Sequence, residues 1–237
     1  KEPRFSWQLQ SSSRNTMQTA YEIIVTTVSN KAVWKTGKVA SDSSVHVQYK
    51  GVELNSDTKY KWKVRVWDNK NKASEWSNTA SFQTGFFTMN EWKAQWIIPG
   101  YTEDSVMRPS PYFRKEFTTD KKIQTATAYI TSHGMYEATI NGQRVGDAYL
   151  TPGWTAYQKR LQYQVYDVTS MMNDGPNAIG IMLGNGWYRG IIGFANNINY
   201  YGKDIALLCQ INIKYTDGST ATIVSDASWK TSTGAIQ

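Results

Sequence analysis

Tyr136-Glu137-Ala138-Thr139-Ile140-Asn141-Gly142-Gln143-Arg144-Val145-Gly146-Asp147 alternates apolar and polar side chains up to an Asn-Gly step. A period of two marks a strand with one buried face, and Asn-Gly suits the positive-φ turn of a tight hairpin. The pieces that follow are Thr151-Pro152-Gly153-Trp154, Tyr166-Asp167-Val168-Thr169 and Leu183-Gly184-Asn185-Gly186-Trp187-Tyr188-Arg189-Gly190. They are short, aromatic and broken by Gly or Pro, which predicts a sandwich with elaborate loops.

Composition sets the frame around that stretch. The 237 residues suffice for one large or two ordinary domains. With 40% hydrophobic residues, 10 Trp, 15 Tyr and 7 Phe, the chain has ample core material, which excludes global disorder. No apolar run reaches the roughly 18 residues of a transmembrane helix. Cys209 is the only cysteine, so no intrachain disulfide can form, and its strand-like surroundings predict a buried, inert thiol. The formal charge of +7 is scattered, with no more than two consecutive basic residues, so no nucleic-acid partner is expected. Lys1-Glu2-Pro3-Arg4-Phe5 shows neither an initiator Met nor a signal-peptide core, as expected if a preceding segment was removed.

Residues 1–86 read as one small all-β domain. Ala20-Tyr21-Glu22-Ile23-Ile24-Val25 has strand composition, Val45-His46-Val47-Gln48-Tyr49 alternates, and Tyr60 to Trp67 alternates over eight residues. Leu54, Thr58 and Tyr60 resemble the tyrosine-corner region of fibronectin type III domains, in which the Tyr hydroxyl bonds backbone upstream. Ser74-Glu75-Trp76-Ser77 reads as a bulged final hairpin with Trp76 packed on basic side chains. Residues 87–237 form a second domain after a short, apolar connection. Its strand signals are Pro111–Phe117, Ile123–Ile130, Met135–Ile140, the wholly apolar run Ala178–Leu183, an alternating Leu207–Tyr215 and Thr220–Val224. The class is all-β throughout.

At family level the residues resemble bacterial α-L-rhamnosidases of glycoside hydrolase family 78. The likeness rests on Pro3-Arg4-Phe5-Ser6-Trp7, Gln18 to Ile23, Trp62 to Asp68, Phe113-Arg114-Lys115-Glu116-Phe117, Ile140 to Asp147, Leu150 to Thr155 and Leu183 to Gly190. It implies a fibronectin type III-like sandwich followed by a jelly-roll sandwich of the carbohydrate-binding-module kind. It further implies a parent hydrolase whose catalytic (α/α)6 barrel, working by inversion on terminal α-L-rhamnosides, lies outside these residues. The partners implied are the remaining domains of that parent and rhamnose-containing glycans or glycosides. The location implied is secreted, periplasmic or cell-surface in a bacterium, with the cytoplasm left open. A structural or adhesive fibronectin-containing surface protein, with no enzymatic parent, is the alternative.

No catalytic residue is assigned. An inverting glycosidase needs two carboxyls about 6.5–9.5 Å apart. Glu137 and Asp147 flank one hairpin, but Glu137 falls on the polar face of an alternating strand, where a solvated carboxylate is expected. His46 and His133 are too few, with one Cys, to close a zinc site. Sugar recognition combines an aromatic face for the C–H surface with Asn, Asp or Arg for hydroxyls. Asp147, Trp154, Asn185, Trp187, Tyr188, Asn196, Asn199 and Tyr200 supply that mixture and are the candidate carbohydrate-binding residues. No cofactor is required. Some relatives hold rhamnose through calcium in this jelly roll, which implies Asp147 and Asn197 as candidate metal ligands. Ala148 stands where an adjacent Asn is expected, which counts against the ion.

Overall fold

Almost every regular element is a strand, as the period-two patterns require. The computed structural model describes residues 2–193 and 196–234. It divides the chain into two units, Lys1–Glu91 and Trp92–Gln237. No helix among the described residues is long and apolar enough to cross a membrane.

The first unit contains β1 (Arg4–Phe5), β2 (Gln18–Thr27), β3 (Ala32–Lys35), β4 (Val39–Ala40), β5 (Val47–Gln48), β6 (Lys59–Asp68) and β7 (Ala80–Gln83). One sheet runs β3-β2-β6-β7 with β4 also on β2, and β1 pairs with β5. Phe5, Ile23, Val25, Tyr49, Leu54, Tyr60 and Val64 are buried between them. The tyrosine corner is present: the Asn55 N–H donates to the Tyr60 hydroxyl at 2.9 Å. Only Val47–Gln48 of the expected strand Val45–Tyr49 is extended. His46 takes φ +56°, outside the strand region, and its N–H donates to Ser6 Oγ at 3.0 Å.

Ser74 and Ser77 run along β6. Their N–H groups donate to the Val66 and Val64 carbonyls, and their hydroxyls accept the N–H of the same two residues. This hydroxyl-for-carbonyl exchange satisfies the edge of β6 and carries Trp76 onto its polar face. Lys63 Nζ and the Arg65 guanidinium each lie 4.8 Å from the Trp76 ring, and Arg65 lies 5.0 Å from Trp67. Such contacts contribute about 0.5–1 kcal/mol each at exposed sites. Trp76 is thus consumed by the fold.

The second unit contains β8 (Pro111–Thr118), β9 (Ile123–His133), β10 (Met135–Ile140), β11 (Gln143–Arg144), β12 (Gln164–Asp167), β13 (Pro176–Gly184), β14 (Ala206–Tyr215), β15 (Thr220–Val224) and β16 (Lys230–Thr233). A five-stranded sheet runs β11-β10-β13-β8-β16 and a four-stranded one β12-β9-β14-β15. The hairpin between β10 and β11 turns at Asn141 (φ +50°) and Gly142 (φ +79°), both in the region that Asn-Gly tolerates. Asn141 also ties its neighbours together, accepting from the Ala178 N–H and donating to Met171 O.

Facing rows make the core. Ala138, Ile140, Ile179, Ile181, Leu183 and Phe113 of one sheet meet Ala128, Ile130, Leu207, Cys209, Ile211 and Ile213 of the other. Each fully buried Ile or Leu contributes about 1.5–3 kcal/mol relative to exposure. Burial pushes the Cys209 thiol up to about 12. The apolar run Ala178–Leu183 proves to alternate in burial: Ile179, Ile181 and Leu183 face the core, while Gly180 and Met182 face outward.

Leu207–Tyr215 departs from the expected alternation, because β14 is buried at six successive positions from Ala206 to Ile211. The segment from Trp92 to Ile97 covers its outer side. Lys93 N–H donates to Gln210 Oε1 at 2.7 Å, Gln95 N–H to Ser225 O at 2.8 Å, and Ile97 exchanges two backbone hydrogen bonds with Leu207. The Trp92 ring packs edge-on against Tyr129 and Tyr163.

Candidate functional site

At one end of the second unit the chain leaves β13 into a single helical turn, α1 (Gly186–Arg189). Gly186 sits at φ +50°, and a Cβ there would stand 2.6 Å from Met135 Cγ, so glycine alone enters this turn without strain. Arg189 is 2% exposed, and its guanidinium takes Glu103 in a two-pronged ion pair. Its Nε donates to Asn185 Oδ1, and its Nη1 also donates to Lys203 O at 3.3 Å. The returning chain binds the same turn, with Asn199 N–H on Arg189 O and Tyr201 N–H on Tyr188 O. A buried charge needs a partner that meets its donors, and Glu103 supplies it. Residues 185–190 and 199–203 are thereby wrapped around one cation.

An aromatic group is built on that scaffold. Trp154 stacks on Trp187 at 5.8 Å with 7° between the planes, and its Nε1 donates to the Tyr201 hydroxyl at 3.1 Å. Tyr157 meets Tyr188 and Tyr201 edge-on, and Tyr200 meets Tyr201 in the same way. His133 lies between two rings, 4.3 Å from Trp96 and 4.5 Å from Tyr188. Burial lowers the His133 pKa and raises those of Tyr157 and Tyr188. Trp154 is 54% exposed and Tyr200 58%, so both keep area open to a ligand.

The sequence candidates fall into two sets. Trp154, Trp187, Tyr188 and Tyr200 come together in this group. Asn185 and Asn199 adjoin it, but their side-chain oxygens already accept from Arg189 and from Arg108, the latter at 2.9 Å. Asn196 and Asn197 lie exposed on the far turn, where Asn197 exchanges two backbone hydrogen bonds with Ile192. Asp147 is exposed after the β11 edge, beside Ala148, whose carbonyl accepts from Arg144 at 2.8 Å. Arg144 also lies over the Tyr149 ring at 4.3 Å. Asp147 and Asn197 share no hydrogen bond. Among the described residues no three of His, Cys, Asp and Glu gather as a metal cluster. Calcium gathers 6–8 oxygens, and one exposed carboxylate with one exposed amide does not make such a cage.

The carboxyls that shift all go down. Glu91 is lowered first by Ser56, Asp104 by the Met107 N–H, Asp217 by Lys121 and Asp226 by Ser228, each through a hydrogen bond. Glu137 stands 3.9 Å from Arg144 in a half-exposed pair. The residues missed from sequence are Glu103, Tyr157 and the Trp96–His133 pair. Their partners are distant along the chain; the only local signal was the density of Tyr around 157 and 200.

Two family descriptions match the chain: "Rha78A-like, N-terminal immunoglobulin domain" over residues 1–88 and "Alpha-L-rhamnosidase N-terminal domain" over residues 121–237. A curated α-L-rhamnosidase of Formosa agariphila is 35% identical over 98% of this chain and 26% of its own length. Among solved structures, the α-L-rhamnosidase of Aspergillus terreus superposes with a TM-score of 0.89 at 38% identity, over 98% of this chain and 27% of that one. That of Dictyoglumus thermophilum gives 0.86 at 40% identity, over 99% and 28%. The chain spans about a quarter of the length of each of these relatives.

Proposed function

We propose, from a chain whose two domains belong to the N-terminal region of the α-L-rhamnosidases, that it is the non-catalytic front part of such an enzyme. The parent hydrolyses terminal α-L-rhamnosides by inversion, and its acid and base lie on residues beyond those described here. The observation that carries this reading is coverage: the likeness runs through 98% of this chain while taking up 26% of the relative. Two stable sandwiches then serve as scaffold for the catalytic domain. The Trp154–Trp187 stack, with the open face of Trp154 and Tyr200 beside it, is the surface on which a rhamnose-containing glycan would rest its C–H face.

The test has two arms. The chain alone should release no p-nitrophenol from p-nitrophenyl α-L-rhamnoside, while the gene read past Gln237 should encode a helical domain with paired acidic residues. Turnover by the isolated chain, or a stop codon at that point, sinks the scaffold reading. Titration with L-rhamnose should move the Trp154 indole resonance, and an unchanged spectrum at saturating sugar removes the binding role.

A further inference from the structure

The two outer faces of the second sandwich are treated differently. Trp92, Tyr163 and the backbone of residues 93–97 cover the four-stranded sheet. Within this unit the described segments reach only the margin of the five-stranded sheet, at Gly100, Tyr101 and Gly234, and its outer face holds a groove of about 470 Å³. Pairing register dictates its content. Thr139, Gly180, Arg114 and Lys230 stand opposite one another in one row across β10, β13, β8 and β16. Glu137, Met182, Tyr112 and Ser232 form the next row.

Each row has a chemical meaning. Gly180 leaves the floor of the central strand without a side chain, and a Cβ there would come within 3.2 Å of Thr139 Oγ1. Beside that gap Tyr112 and Met182 offer an apolar bed. Thr139, Ser232 and Glu137 offer hydroxyl and carboxylate groups at its margins. The charges are unevenly matched. Arg114 pairs with Glu116 at 2.7 Å and Arg144 reaches Glu137 at 3.9 Å. Lys230 is exposed and has no acidic partner among the described residues, so one positive charge stands over the groove unneutralised.

We propose that this groove binds a glycan segment carrying a carboxylate, with a sugar ring laid over Tyr112 and Met182 and its uronate group on Lys230. An aromatic and thioether floor takes the C–H face of a pyranose, and a charge-assisted hydrogen bond to Lys fixes the anion. A neutral sugar would leave Lys230 as it is; a uronate completes it. The site is separate from the Trp154 group and stands whether or not that group binds.

The test titrates the full 237-residue chain with tetragalacturonate and with its methyl ester, in which a methyl group removes the charge of each uronate. The acid should bind at least 5-fold more tightly than the ester, and its affinity should fall with added salt. Lys230→Gln should weaken the acid at least 5-fold, and Gly180→Val should abolish binding by filling the floor. Lys214→Gln, an exposed lysine on β14, and Trp154→Ala should leave the affinity unchanged. Thermal melts show that each variant folds. Equal affinity for acid and ester overturns the proposal, as does no binding of the acid, indifference to Lys230→Gln, or loss of binding in Trp154→Ala.

Discussion

Tyr129 and Tyr112 are both outward-facing tyrosines of the second sandwich, on opposite sheets. Tyr129 is fully buried, because Trp92 and Tyr163 close over it. Tyr112 remains partly exposed beside Gly180 and Lys230. Their strands differ in charge, with Arg114, Lys115 and Glu116 on β8 and no Asp, Glu, Lys or Arg on β9, and they differ in whether another piece of the unit returns over the face. A covered aromatic serves stability, whereas an uncovered one is available for recognition. Trp76 in the first unit marks an intermediate case, covered by cations rather than by chain.

That contrast can be broken experimentally, beginning with its largest consequence. Tyr129→Ala should cost about 3–5 kcal/mol of second-domain stability in urea denaturation, the range for removing a large buried aromatic. Arg189→Ala should cost about 3 kcal/mol, since it leaves the Glu103 carboxylate facing a site built for a cation. Met182→Ala, on the bare face, should cost under about 1 kcal/mol in the same assay. A cost like that of Tyr129→Ala would mean that the face is covered after all.

The smallest effect is electrostatic. His133 has its folded pKa lowered by burial between Trp96 and Tyr188. A lowered value means that the unfolded chain binds the proton more readily. The stability contribution is therefore complete above the unfolded value of about 6.5 and is lost as pH falls from there through the lower folded value. Melting temperature should decline between pH 7.5 and 5, and His133→Gln should flatten that part of the decline.

Much of this architecture was legible because strand physics is local. The Asn141-Gly142 turn, the alternation of Met135–Ile140 and the Tyr60 corner each follow from a few neighbouring residues. The aromatic loops were legible as composition, and Trp154, Trp187 and Tyr188 do meet. Their support was not. Arg189 is held by Glu103, 86 positions away, and no pattern within the Leu183–Gly190 motif announces that partner. Apolar runs conceal a second ambiguity. Ala178–Leu183 is apolar throughout, as a central sandwich strand would be, yet only Ile179, Ile181 and Leu183 are in the core. Gly180 was the clue, since a glycine in a strand interior often marks a close approach or an open floor. The alternation expected of Leu207–Tyr215 is lost from Ala206 to Ile211, where all six positions are buried and Gln210 receives the Lys93 N–H.

Cys209 lies at the contact between the two sheets, with its thiol pushed up to about 12 by burial. A thiol so placed is silent toward alkylating reagents while the sheets remain together, because only the exposed thiolate reacts. As the chain's single cysteine, it makes the unmodified protein its own reporter of transient opening. The rate at which a reagent reaches it, with and without bound glycan, would show whether occupying the outer surface steadies the interior.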